Sequence, residues 1–316
     1  MKHTDRNGIM EYSMLRQILA VFLVVMACPL HAACTGDNLV DRLSPAAQAE
    51  LAELVAPHPY PEGNLWRAEM PGSTVHVVGT VHIPDPRLAP IAERVLPLVA
   101  DADLVILEAS KDMQAEMQRR MVEEPEIAFL TEGPTLIDML GEGLWAQLSD
   151  ELLARGVPPF MAAKFRPWLL AVTLAIPACA TGPMAAGETG LDGIIEAAAE
   201  WAGTPVATLD EIDTIFTLLG SGPMEQQIDM LRVMLMSEQD QEAMFATTLD
   251  SYFAGRHREL WEFNRLINRE SGLENPDELF GTFEDMLLTG RNQDWEDKLP
   301  ALVEGRDAVL AVGAAH

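Results

Sequence analysis

The sequence predicts an α/β fold: a small, mostly parallel sheet with a large helical insertion. Three observations carry that expectation. The run Val75-His76-Val77-Val78-Gly79-Thr80-Val81-His82 is apolar and stops at a histidine. The run Asp103-Leu104-Val105-Ile106-Leu107-Glu108 is apolar and stops at a carboxylate. The chain's end, Ala308-Val309-Leu310-Ala311-Val312-Gly313-Ala314-Ala315-His316, repeats the first pattern. Short apolar runs bounded by turn residues mark strands covered on both faces, as in parallel sheets.

Taken in order, residues 45–54 read as a short helix with Ser44 as its N-cap. Pro57, Pro59 and Pro61 punctuate a loop. Residues 64–70 and 74–81 read as strands joined at Pro71-Gly72, a hairpin signal. Asp85 caps a helix with Pro86 in its first turn and Leu88, Ile91, Val95, Leu98 and Val99 on its apolar face. The strand ending at Glu108 completes a βαβ unit. His82 and Glu108 then fall at one edge of a parallel sheet, where open α/β sheets place their sites.

Residues from about 111 to 300 form the insertion, with helical spacing over 111–123, 135–140, 144–155, 193–202, 211–219, 224–236, 237–254, 259–271, 276–288 and 292–302. Residues 160–176 are strongly apolar, but Lys164, Arg166 and Pro167 interrupt them. They fall short of the roughly 20 residues of a membrane span and read as a buried helix pair. Residues 205–209 form a short strand ending at Asp210, and 307–312 the closing strand.

The 316 residues carry a formal charge of −28, which argues against nucleic acid or an anionic membrane face as partner. So acidic a chain fits an extracytoplasmic protein and attracts cations. At the N-terminus Lys2, Arg6 and Arg16 accompany an apolar stretch at 18–27, and Leu30-His31-Ala32-Ala33 offers a cleavage site. Residues 1–33 therefore read as a signal peptide and 34–316 as a single domain, exported to a periplasm or secreted, with no membrane span after cleavage. A loose lipoprotein box, Val25-Met26-Ala27-Cys28, is the alternative and would acylate Cys28. Once Cys28 leaves with the signal, Cys34 and Cys179 remain to pair in an oxidising compartment.

The chemistry centres on the strand ends. Imidazole suits a borderline divalent cation, and a carboxylate adds charge and hardness. His82, Glu108 and His316 are thus candidate metal ligands, and the glycine three residues before each histidine permits close backbone approach. The bland alternative, a hydrogen-bonded structural histidine, stays open on these residues alone. No G-x-S-x-G, H-E-x-x-H or Gly-rich phosphate loop is present.

The sequence resembles the TraB/GumN family, which includes PrgY and the Tiki metalloproteases. The resemblance rests on Gly79-Thr80-Val81-His82, Val105-Ile106-Leu107-Glu108, Arg166-Pro167-Trp168, Gly190-Leu191-Asp192, Arg291-Asn292 before Trp295, and Gly313-Ala314-Ala315-His316. It implies an α/β fold like that of the ChaN and erythromycin-esterase proteins. It also implies a peptidase dependent on a divalent metal (Mn, Co, Fe or Zn) held at His82, Glu108 and His316. Glu108 and Arg291 would be catalytic, with Arg291 an oxyanion or carboxylate contact and Asp192 structural. Peptide or protein is the implied substrate. The alternatives are a non-catalytic peptide-, haem- or iron-binding protein, or an exported scaffold with a relic site. Leu209-Asp210 stands where the family has Leu-Glu. Relatives continue past the second motif, so ending on His316 suggests a fragment or a truncated, inactive member with His316 on a flexible end.

Overall fold

The computed structural model describes residues 34, 36–220, 222–235, 238–270 and 275–316. The signal peptide and the acylation of Cys28 fall outside the described residues. The strands are β1 (Leu65–Met70), β2 (Ser73–Thr80), β3 (Leu104–Leu107), β4 (Val206–Thr208) and β5 (Asp307–Gly313), in the sheet order β1-β2-β5-β3-β4. β1 and β2 form the expected antiparallel hairpin, with Gly72 at φ 80° in its turn. The other pairings, β2 with β5, β5 with β3 and β3 with β4, are parallel. The α/β expectation of a small, mostly parallel sheet with a large helical part holds.

One detail differs. The sequence reading makes β2 and β3 the two parallel strands of one βαβ unit, which they are, but it places no strand between them, and β5 lies there. The reason is in β5 itself. Val309 and Ala311 pack in one apolar cluster, and Ala308, Leu310 and Val312 in another. A strand apolar on both faces gains most from the centre of a sheet. β3 alternates in the same way, with Val105 and Leu107 on one side and Leu104 and Ile106 on the other. The helices Ala89–Asp101 and Leu191–Ala202 supply the first cluster through Val95, Val99, Ile195 and Ala199. The helix Gly290–Val303 supplies the second through Trp295 and Val303. The sheet is therefore covered on both faces.

The insertion has its own core of Leu136, Leu140, Leu148, Leu152, Leu170, Leu174 and Leu231, among others. The helices expected over 135–140 and 144–155 run as one helical stretch, Leu136–Ala154, capped by Thr135 and Arg155 and bent where Gly141 leaves helical geometry at φ 75°. Among the described residues no single helix is long and apolar enough to cross a membrane, and the bent pair Pro167–Leu174 and Ala178–Ala185 turns through 73°. Trp168, Leu170 and Leu174 in that pair are buried. A Cys34–Cys179 disulfide, with Cα atoms 5.4 Å apart, closes a separation of 145 residues.

The second departure lies at 276–302. Two separate helices, 276–288 and 292–302, are expected. Instead Pro276–Glu284 runs through a π-helical turn, Asp285–Thr289, directly into Gly290–Val303. A side chain at 290 would put its Cβ 2.9 Å from the Asp285 carbonyl oxygen, so glycine here accommodates the wide turn. That turn presents Arg291, one residue past Gly290, at the sheet edge.

Candidate functional site

β2, β3 and β5 all end at the same edge of the sheet, and the candidate residues are at or just past their tips. The register sets Leu107 beside Ala311 in β5, one residue before Glu108. Leu209 N–H donates to the Leu107 carbonyl and Asp210 N–H to the Glu108 carbonyl, which carries Asp210 alongside Glu108.

His82 lies just past β2. Its Nδ1 is 3.1 Å from Asp192 Oδ2, and its side chain is 66% exposed. The contact exists because Gly190 lies against the His82 backbone. A Cβ at 190 would sit 2.1 Å from the Val81 carbonyl oxygen and 2.6 Å from His82 Cα. Leu191 N–H donates to that same Val81 oxygen at 2.9 Å. The helix Leu191–Ala202 thus starts on the His82 loop, with Asp192 in its first turn. The Asp192 hydrogen bond, helped by the charges of Asp192 and Glu108, raises the His82 pKa against the smaller opposing effect of partial desolvation beside the cleft wall. The Gly-Leu-Asp motif, read from sequence as structural, places a carboxylate on a candidate ligand histidine. Such partners fix the tautomer and ring orientation.

Glu108 is 14% exposed. Its Oε1 accepts from the Gly313 N–H, and its Oε2 accepts from Arg291 Nη2 at 2.5 Å. A Cβ at 313 would approach Glu108 Oε1 to 3.0 Å. Neither motif glycine has a positive φ, so close approach is what Gly313 provides. Burial opposes ionisation of Glu108, but the Arg291 guanidinium and the Gly313 amide outweigh it and lower its pKa.

His316 does not hang on a flexible end. Its Nδ1 lies 2.6 Å from Asn292 Oδ1 and its Nε2 3.0 Å from Arg291 Nη1. Its ring packs on Trp295 at 4.3 Å, and its N–H donates to the Gly313 carbonyl. The side chain is 6% exposed, and burial first of all pushes its pKa down to about 4. The neutral ring with Nδ1–H donating to Asn292 satisfies both contacts, leaving Nε2 as acceptor from Arg291. The helix Gly290–Val303 therefore holds the histidine through three side chains.

Arg291 is the hub. Its Nη2 reaches Glu108 Oε2 and, at 2.6 Å, Asp210 Oδ2. Trp295 Nε1 donates to the other Asp210 oxygen at 2.8 Å, and the guanidinium lies 4.7 Å from the Trp295 ring centroid. Arg291 thus contacts two carboxylates of the chain itself, Glu108 and Asp210. Sequence reasoning passed over Asp210, Asn292 and Trp295 as site residues. The signal for Asn292 and Trp295 is Arg291-Asn292 before Trp295, within one helix, and that for Asp210 is the short strand that ends on it.

A cleft of about 240 Å³ opens here, lined by His82, Glu108, Asp192, Asp210 and Arg291 with an aliphatic wall of Ile215, Leu218 and Leu287. Three buried polar atoms of its lining, Thr80 Oγ1, Asp192 Oδ1 and Arg291 Nε, have no hydrogen-bond partner. The donor types fit a divalent cation: two imidazoles and a carboxylate, with further carboxylates behind. As placed they do not close into a cage, for among the described residues no three His, Cys, Asp or Glu groups stand in metal-holding positions. Arg291 engages Glu108 and His316 instead.

No curated protein matches the chain. The TraB/PrgY/gumN family model matches residues 64–316, a span that takes in all five strands and both G-x-x-H histidines, and the chain belongs to that family.

Proposed function

We propose that this cleft is the active site of an exported, metal-dependent hydrolase that acts on peptides. The observation that carries the reading is the meeting of His82, Glu108, Asp192, Asp210, Arg291 and His316, drawn from distant parts of the chain, beside three unpartnered buried polar atoms. Buried polar groups in folded proteins are nearly always paired, so such a cluster in a cleft suits a polar ligand. His82, Glu108 and His316 would hold the metal. When bound, it would supply a water of lowered pKa and polarise a carbonyl.

The chain's own residues do the rest. Asp192 orients His82, Arg291 holds Glu108 ionised, and Asn292 fixes the His316 tautomer. Thr80 Oγ1–H and Arg291 Nε–H remain as donors for a carbonyl oxygen. Ile215, Leu218 and Leu287 can seat an aliphatic side chain. The acidic composition and the disulfide suit an oxidising compartment outside the cytoplasm.

A second reading, peptide capture or haem or iron binding without turnover, uses the same donors and wall. Metal analysis of the purified, signal-processed protein and mass spectrometry of a peptide mixture incubated with it separate the two. Stoichiometric metal that His82→Ala loses, together with cleavage products, supports the hydrolase. Peptide retained without products favours the second reading. Absence of metal with unchanged behaviour of His82→Ala overturns the first.

A further inference from the structure

We propose that Arg291 is a built-in counter-cation that occupies the ligand atoms of this centre, so that a divalent metal binds only as the guanidinium withdraws. The proposal rests on the metal-dependent reading above and deepens it.

The geometry places one cation among the atoms another would need. Nη2 lies 2.5 Å from Glu108 Oε2 and 2.6 Å from Asp210 Oδ2, and Nη1 lies 3.0 Å from His316 Nε2. A neutral imidazole has one lone pair in its ring plane, on the nitrogen without a proton. In His316 that nitrogen is Nε2, because Nδ1 faces Asn292 Oδ1. Nε2 can accept from Arg291 or bind a metal, not both.

Charge leads to the same exclusion. Glu108 and Asp210 are 14% and 5% exposed, and Arg291 is the cation that touches both. Buried carboxylates need such a partner. A dication arriving at Glu108 would meet a guanidinium already on that carboxylate, and like charges that close in a poorly solvated cleft repel strongly. Asp210 is the anchor for the exchange. Trp295 Nε1 fixes its other oxygen, so Arg291 can keep Asp210 while ceding Glu108 and His316. Arg291 thus sets the metal affinity and keeps the metal-free site from holding two uncompensated carboxylates.

The test is calorimetric titration of the metal-stripped, signal-processed protein with Zn²⁺, comparing wild type with Arg291→Met and Arg291→Lys. Arg291→Met is expected to bind Zn²⁺ at least roughly tenfold more tightly, the lower end of what an adjacent charge does to a proton equilibrium. Arg291→Lys retains a charge and is expected to stay near wild type. Added guanidinium ion should weaken Zn²⁺ binding by Arg291→Met and leave wild type unchanged.

Equal or weaker binding by a folded Arg291→Met overturns the proposal while leaving the metal reading intact. Absence of binding in wild type and variants overturns both. Should Arg291→Met not fold, arginine side-chain nitrogen spectra of the wild type decide. The Arg291 Nε–H signal, assigned through Arg291→Lys, should move on Zn²⁺ saturation, and an unmoved signal overturns the proposal.

Discussion

His82 and His316 are both imidazoles at strand ends, yet their surroundings drive them apart. Asp192 raises the His82 pKa, whereas burial against Trp295 takes that of His316 down to about 4. The signs follow from linkage. The His82–Asp192 pair stabilises fully below the ordinary imidazole pKa, and its contribution fades as pH rises through the raised value. His316 behaves oppositely: its contribution is present above the ordinary value and is lost as pH falls toward about 4. Asp192→Asn should therefore lower the His82 pKa in an imidazole NMR titration. An unshifted titration would show that the pair does not form in solution. In the same spectra His316 should stay neutral until the acid limb of unfolding, and titration near the ordinary imidazole value would contradict its burial.

Elements bring these residues into range, and small residues set how closely the elements meet. Gly190 lets a helix begin on the His82 backbone. Gly190→Ala must displace one or the other, at a cost of roughly 1–3 kcal/mol for overpacking. A thermal melt should fall accordingly, and His82 NMR shifts should move toward those of Asp192→Asn. A wild-type melt with unmoved shifts would refute this helix–loop contact. Elsewhere, the helices His257–Glu270 and Pro276–Glu284 are joined by Arg258 and Arg265, which bridge Glu262 and Glu284. Burial opposes ionisation of Glu284, but Arg265 and Arg258 prevail and lower its pKa. Its contribution is present above the ordinary carboxyl value and lost as pH falls through the lowered one. Glu284→Gln should cost roughly 1–3 kcal/mol near neutral pH and less in acid, measured by urea unfolding across pH. A loss independent of pH would mean that the charge is not what matters.

At the scale of the molecule, the disulfide ties residue 34 to the middle of the insertion. Cys34 packs against an apolar cluster of Ala180, Phe245 and Leu249, on which Val81 and Ile83, the residues that flank His82, also pack. Replacing both cysteines by serine should cost roughly 2–5 kcal/mol for so long a closed loop. It should also increase amide exchange at 81–83. Stability lost without added exchange there would show that the bridge serves the insertion alone.

Much of this was legible in the sequence. Unbroken apolar runs specify strands covered on both faces, and a polar residue at the end of such a run must emerge at the sheet edge. That logic located His82, Glu108 and His316, and the repeated Gly-x-x-His marked where backbone and side chain approach. Strand order was not legible, because β2 and β3 each satisfy local rules whether or not another strand separates them. Only the tertiary structure put β5 in the centre, where its two apolar faces are both buried. Nor could spacing show that a π turn swings Arg291 onto Glu108, Asp210 and His316. Sequence determines which residues are delivered to the edge. Packing of the helix Gly290–Val303 against β5 decides which of them share a charge.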